Sequence, residues 1–297
     1  MIGRLFTVIV LLMFCVAAFG FPVDMLKGKE NNDQAKYPQR IISLAPALTR
    51  AIYELGAEDR LKGCTTYCNK PEPAKYKEKI GTLIDFNLEK ILTLKPDLVL
   101  GMEFSDRRTI EKLKSLGIRV EIFSSPENFN HLCESFIRLG RMLGQEEKAR
   151  QIVTRAKQDA AFIRQKVAGE KKIKIFWQLG AKPLFAATKE YFSNDYIEFA
   201  GGINIAADAS SGIYSREEVL KRNPDVIIII TMGVASDAEK QTWKTYQGIN
   251  AVKNNRVYIV DAYTYCSPTP KVFARALREL VVLLHPAISL SKSNGEK

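Results

Sequence analysis

Residues 145–172 read "QEEKARQIVTRAKQDAAFIRQKVAGEKK", with Ala149, Ile152, Val153, Ala156, Ala160, Ile163 and Val167 at helical spacing and charges elsewhere. No Gly or Pro interrupts the run from Gln145 to Ala168, so at 1.5 Å per residue it can form one helix of roughly 36 Å. A flexible linker would be written in Gly and Ser. The segment instead predicts a stiff connector, and the chain on either side shows what it connects.

Before the connector, "RIISL" (40–44), "LKGCTT" (61–66), "DLVLG" (97–101) and "RVEIF" (119–123) read as strands, with helical stretches such as Asp106 to Leu116 between them. After it, "KIKIFWQL" (172–179), "DVIIII" (225–230) and "RVYIV" (256–260) repeat the alternation. Strands alternating with helices predict parallel sheets, and Val226 to Ile230, apolar throughout, fits a strand covered on both faces. The expected fold is therefore two Rossmann-like α/β lobes joined by one long helix, with a ligand cleft between the lobes. The expected limits are an amino-terminal lobe over 38–143, a bridge over 144–169, a carboxy-terminal lobe over 170–289 and a tail over 290–297.

The two lobes echo each other. "NLEKILTLKPDLVL" (87–100) aligns without gaps on "SREEVLKRNPDVII" (215–228). In each, a capping residue (Asn87, Ser215) precedes a helix with an acid in its first turn (Glu89, Glu217), and a Pro-Asp pair leads into an apolar strand.

The first residues, "MIGRLFTVIVLLMFCVAAFGFP", carry one basic residue, an apolar run and small residues at Ala18 and Gly20. This pattern reads as a signal peptide over 1–20, with an uncleaved anchor as the alternative. Cys15 follows the bulky Phe14, where a lipoprotein signal places a small residue, so lipid attachment is not expected. A polar lead-in over 21–37 follows, and the mature chain reads as exported and monomeric. The net charge of +11 is spread along the chain rather than gathered in one arm, which describes a solvated basic surface and not a nucleic-acid site.

Familiar catalytic machinery is missing from the sequence. His131 and His285 belong to no HExxH or Cys/His cluster, "AGGINIA" (200–206) is not a dinucleotide fingerprint, and no phosphate loop or GxSxG elbow occurs. No enzyme activity and no cofactor are expected. Cys64, Cys68, Cys133 and Cys266 allow three full pairings, and buried free thiols are equally compatible with a chain of this size. A thiol or redox protein using Cys64 and Cys68 stays open as the alternative to a binding protein, although the spacing is CxxxC. Trp177 belongs either to the core or to the cleft, and Trp243, in polar surroundings, is expected at a rim.

Taken in order, "RIISLAPALTRAIYELGAEDRLKGCTTYCNKP" (40–71), "IGTLIDFNLEKILTLKPDLVLG" (80–101), "LKSLGIRVEIF" (113–123), "GGINIA" (201–206), "YSREEVLKRNPDVIIIIT" (214–231) and "NNRVYIVD" (254–261) resemble the periplasmic binding proteins of iron-complex and vitamin B12 ABC importers. The resemblance implies a helix-bridged pair of lobes that holds a ferric siderophore, corrinoid or haem and delivers it to a permease dimer with its ATPase. It implies that Glu89 and Glu217 dock onto permease arginines. It places Tyr67, Phe185 and Asp261 in the ligand pocket, together with Leu83, Met102 and Tyr265, where the B12-binding branch has Trp, Trp and Arg. It leaves Tyr265 as a phenolate ligand for a haem iron, the single metal role that the resemblance implies for this chain.

The tripeptide Thr-Tyr-Cys occurs twice, at 66–68 and 264–266. Both copies follow strands and are expected to face the cleft from opposite sides, with Tyr67 and Tyr265 lining it and Cys68 and Cys266 beside them. If any disulfide forms, Cys64 to Cys68 is the expected one.

Overall fold

The computed structural model describes residues 36–230 and 235–290. The signal-peptide reading, most of the lead-in and nearly all of the tail lie outside the described residues. Among those described, no helix is long and apolar enough to cross a membrane.

The amino-terminal sheet contains β1 (Ile41–Ser43), β2 (Leu61–Cys64), β3 (Glu78–Lys79), β4 (Leu98–Met102) and β5 (Val120–Phe123). Its strands lie in the order β3-β2-β1-β4-β5, all parallel. Between them run α1 (Pro46–Leu55), α2 (Leu88–Thr93) and α3 (Arg107–Ser115), and α4 (Phe129–Met142) follows β5. The connector is α5 (Glu146–Val167), 22 residues long. Acids in its first turn and Arg164 and Lys166 in its last suit the helix dipole.

The carboxy-terminal sheet is built on β6 (Ile173–Ala181), with β7 (Leu184–Ala186), β8 (Gly202–Asn204), β9 (Val226–Ile229) and β10 (Val257–Ile259). The long β6 pairs with β9 on one side, and with β8 and then β7 on the other. The β6–β7 pair is antiparallel, a departure from the all-parallel expectation that comes from a tight turn at Lys182-Pro183. Helices α6 (Ser193–Phe199), α7 (Arg216–Arg222), α8 (Ala235–Lys244), α9 (Asn250–Lys253), α10 (Ala262–Tyr265) and α11 (Pro270–Leu284) complete the lobe. Thr269 caps α11, its hydroxyl accepting from Val272 N at 3.3 Å, with Pro270 in the first turn.

Strand residues alternate between two cores. Ile41, Leu98, Leu100, Ile175, Trp177, Val226 and Ile228 face one core shared by both lobes and lined by α4, α5 and α11. Ile42 and Val99 face a private core of the first lobe, and Phe176, Ile227 and Ile229 a private core of the second. Sheets covered on both faces need continuous apolar strands, which explains the run in β9. The shared layer is tight: a Cβ on Gly140 of α4 would lie 2.5 Å from Ala149 Cβ of α5.

The internal echo has a structural reason. Asp97 accepts hydrogen bonds from Gln39 N (2.6 Å) and Arg40 N (2.9 Å), and its own N–H donates to Arg40 O (3.0 Å). Asp225 accepts from Lys174 N (3.0 Å), and its N–H donates to Lys174 O (2.8 Å). In each lobe the Asp of the Pro-Asp pair fixes the entry of a central strand, β1 or β6. Asn87 and Ser215 cap their helices as the sequence predicts, accepting from Lys90 N (2.9 Å) and Glu218 N (3.1 Å).

Candidate ligand cleft between the lobes

In parallel α/β lobes, recognition lies in the loops at the carboxyl ends of strands. In the first lobe these loops follow β2, β3 and β4, and expose Tyr67 (51%), Ile84 (76%) and Phe104 (52%). In the second lobe Phe185 is half-buried against Tyr191, edge to face at 5.7 Å, and beside the exposed Ile213. A Cβ at Gly212 would run into the Phe185 ring. The glycine is what lets this aromatic lie flat on the 211–213 segment.

The two Thr-Tyr-Cys loops do meet, but through residues that sequence reasoning passed over. The Tyr263 hydroxyl of α10 donates to Lys70 O (3.0 Å) and accepts from Lys70 N (3.2 Å) in the loop after β2. Lys70 Nζ pairs with Asp261 at 3.1 Å. The Arg50 guanidinium of α1 lies 4.5 Å from the centre of the Tyr263 ring and donates to Ser267 O (3.2 Å), while Thr269 donates to Glu54 at 2.9 Å. Burial lowers the pKa of Arg50 and raises that of Glu54. Burial alone would also raise the Asp261 carboxyl, but the Thr264 hydroxyl and the Lys70 ammonium outweigh it and hold the group below the usual carboxylate range.

The structure corrects the expectations for Tyr265, Met102, Cys68 and Trp243 and leaves those for Leu83, Asp261 and Cys266 as proposals. Tyr265 lines no cleft: it is buried, edge-on to Trp177 (5.5 Å) and Tyr196 (5.0 Å), and its hydroxyl donates to Ala276 O at 3.2 Å. Its phenol, raised in pKa by burial, is not placed to ligate iron. Tyr263 and Tyr265 are two apart on a helical turn, so about 200° separates them and only one can reach the opposite lobe; that one is Tyr263. Met102 is buried in the shared core, and Cys68 is fully buried beneath its loop. Leu83 is half-buried in the loop between β3 and α2, Cys266 is exposed, and Asp261 is exposed but engaged with Lys70. Trp177 is core. Trp243 is no rim residue but fully buried on α8, with its Nε1 donating to Gln178 Oε1 (2.7 Å) and Arg216 lying over its ring. The four cysteines among the described residues, Cys64, Cys68, Cys133 and Cys266, are free thiols, one of the two states the sequence left open.

Replacing Tyr263 by Phe keeps the ring over Arg50 and removes both hydrogen bonds to Lys70. The expected loss is about 0.5–1.5 kcal/mol in urea unfolding, together with faster amide exchange at Lys70, in the other lobe. Unchanged exchange there would show that the contact does not hold the loops together. The Lys70–Asp261 pair adds a pH dependence: its contribution is complete above the unfolded carboxyl pKa of about 4 and is lost as pH falls through the depressed folded value.

Glu89 and Glu217 are both exposed, on the first turns of α2 and α7. Among the nearby cations, Lys90 pairs with Glu78 and Arg222 with Glu218 and Asp208.

A family model described as "Periplasmic binding protein" matches residues 41–264. The uncharacterized ABC transporter substrate-binding lipoprotein YvrC of Bacillus subtilis is 32% identical over 278 residues, covering 90% of this chain and 86% of that one. The crystal structure of the periplasmic vitamin B12 binding protein BtuF of Vibrio cholerae superposes with a TM-score of 0.70 at 29% identity, over 84% of this chain and 98% of that one. A possible iron-binding, periplasmic solute-binding protein from Staphylococcus epidermidis superposes with a TM-score of 0.74 at 28% identity, over 84% and 99%.

Proposed function

The chain belongs to the periplasmic binding protein family, and from that premise we infer that it captures a corrinoid or a ferric siderophore between its lobes and passes it to the permease of an ABC importer. It is a binding protein and not an enzyme. One observation supports the ligand reading: Tyr67, in the loop after β2 of one lobe, and Phe185, in the short β7 of the other, are aromatic side chains that keep free surface. Flat or bulky chelates rest on such faces, and similar chains are named for vitamin B12 or iron binding. The haem reading that relied on Tyr265 as an iron ligand is dropped, because that hydroxyl is engaged in the core. Glu89 and Glu217 serve as the permease contacts, and the extracytoplasmic location follows from the same reading.

Both tryptophans are buried, so calorimetry is a better detector of binding than their fluorescence. Titration with cyanocobalamin, cobinamide, haemin and a panel of ferric siderophores is expected to give one-to-one binding for a corrinoid or a siderophore. Tyr67→Ala and Phe185→Ala are each expected to weaken that binding by about 1.5–3 kcal/mol, roughly tenfold to a hundredfold, as aromatic anchors do. Tyr265→Phe should leave it within about twofold. No binding by any member of the panel, or a large loss on Tyr265→Phe alone, would overturn the reading.

A further inference from the structure

Beneath the loop that carries Tyr67 lies a group of nucleophilic and polar side chains with no part in the function above. Cys64, at the end of β2, and Cys68, four residues on, are both fully buried. The Cys68 sulfur lies 3.1 Å from Thr49 Oγ1 and 3.2 Å from Thr65 Oγ1. The Lys79 ammonium lies 3.4 Å from Cys64 Sγ and also donates to Cys68 O (3.1 Å) and Ala74 O (2.9 Å). Core cysteines are ordinarily inert and surrounded by carbon, as Cys133 is, where burial pushes the thiol up to about 12. The pair at 64 and 68 instead sits among hydroxyls and a cation.

We propose that Cys64 and Cys68 are a modification site, a dithiol that closes to an intramolecular disulfide by exchange with a low-molecular-weight disulfide.

The geometry assigns the order of events. The Cys64 thiol donates to Ala74 O (3.6 Å) and keeps its proton, whereas the Cys68 sulfur has the neighbouring Cys64 thiol and the Thr49 and Thr65 hydroxyls, which together outweigh burial and bring it below the ordinary thiol value. Cys68 is therefore the attacking thiolate. It forms a bond to one sulfur of the donor, the donor's S–S bond breaks, and the released thiolate takes the proton of Cys64. The Cys64 thiolate then attacks Cys68 Sγ, the Cys64–Cys68 bond forms, and the second donor thiolate leaves and is protonated by water. Two cysteine sulfurs are oxidised by two electrons and one donor disulfide is reduced to two thiols. Access comes through the loop itself, because Thr66, Tyr67, Asn69 and Lys70 around Cys68 are all exposed.

The test uses the whole ligand-free protein and oxidised glutathione, so its outcome is independent of what the cleft binds. After exposure, the protein is denatured, alkylated with iodoacetamide and mapped by mass spectrometry. The expected product has no alkyl group at Cys64 or Cys68, has lost two hydrogens, and returns to the dithiol with dithiothreitol. Cys64→Ser should stop at a glutathione adduct on Cys68. For wild type, the rate should rise from pH 7 to 8 by clearly less than the roughly eightfold expected of an ordinary thiol of pKa near 8.5. Full alkylation of both cysteines, a stable glutathione adduct on Cys68 of the wild type, or the eightfold rise would each overturn the proposal, and all three are read without any variant having to fold.

Discussion

Phe273→Ala is expected to lower the unfolding free energy by about 3–5 kcal/mol, the range for truncating a fully buried phenylalanine. Phe273 stacks on Phe129 (4.2 Å) and Tyr196 (4.4 Å) and meets Phe192 (5.5 Å) and Phe199 (5.7 Å) edge-on. Phe129 opens α4, just after the first sheet, whereas Phe192, Tyr196 and Phe199 belong to the second lobe. One ring thus closes the seam between lobes, and four neighbours lose their partner at once. Because both lobes share that core, urea should unfold wild type and variant in a single transition with the same slope and a lower midpoint. Two separated transitions, or a loss below about 1 kcal/mol, would contradict the shared-core account.

The second large effect concerns transport. Glu89→Lys or Glu217→Lys should reduce import of the bound ligand roughly thirtyfold, and the double reversal more than about a hundredfold, because turning an attractive interfacial pair repulsive costs about 2–5 kcal/mol. Ligand affinity should stay within about twofold, since both residues sit on helix first turns with their caps intact. Glu111→Lys supplies the control, an exposed acid that pairs only with Arg107 of its own helix α3 among the described residues. Unimpaired import by the double variant would remove the docking role from these two residues.

How far the sequence could be read depended on the length of the signal. The helix α5 and the strand β9 announce themselves through long uninterrupted patterns, and the Pro-Asp repeat points to Asp97 and Asp225 before their backbone partners are known. Strands β7 and β8, three residues each, are too short to show a period, so the antiparallel turn in the second sheet was missed. Trp243 reads as a rim residue because its helix, "ASDAEKQTWK", is polar; its burial depends on Gln178 and Arg216, which are distant in sequence. Tyr67 and Phe185, both expected at the ligand, retain free surface. Tyr263 was overlooked in favour of Tyr265, since choosing between them requires the helical phase of a single turn. Arg50 and Lys70 carry no motif at all: cations are common, and only folding brings these two around one ring.

The helical wall common to both sheets makes the halves of this molecule unfit for separate lives. A fragment ending at Met142 would leave the Ile41, Leu98 and Leu100 face without α5 and α11 to cover it, and the remainder would lack α4. The short joint between Met142 and Glu146 is therefore a natural place to divide the chain into two pieces that report on their own reunion, each insoluble alone and ordered only in the other's company.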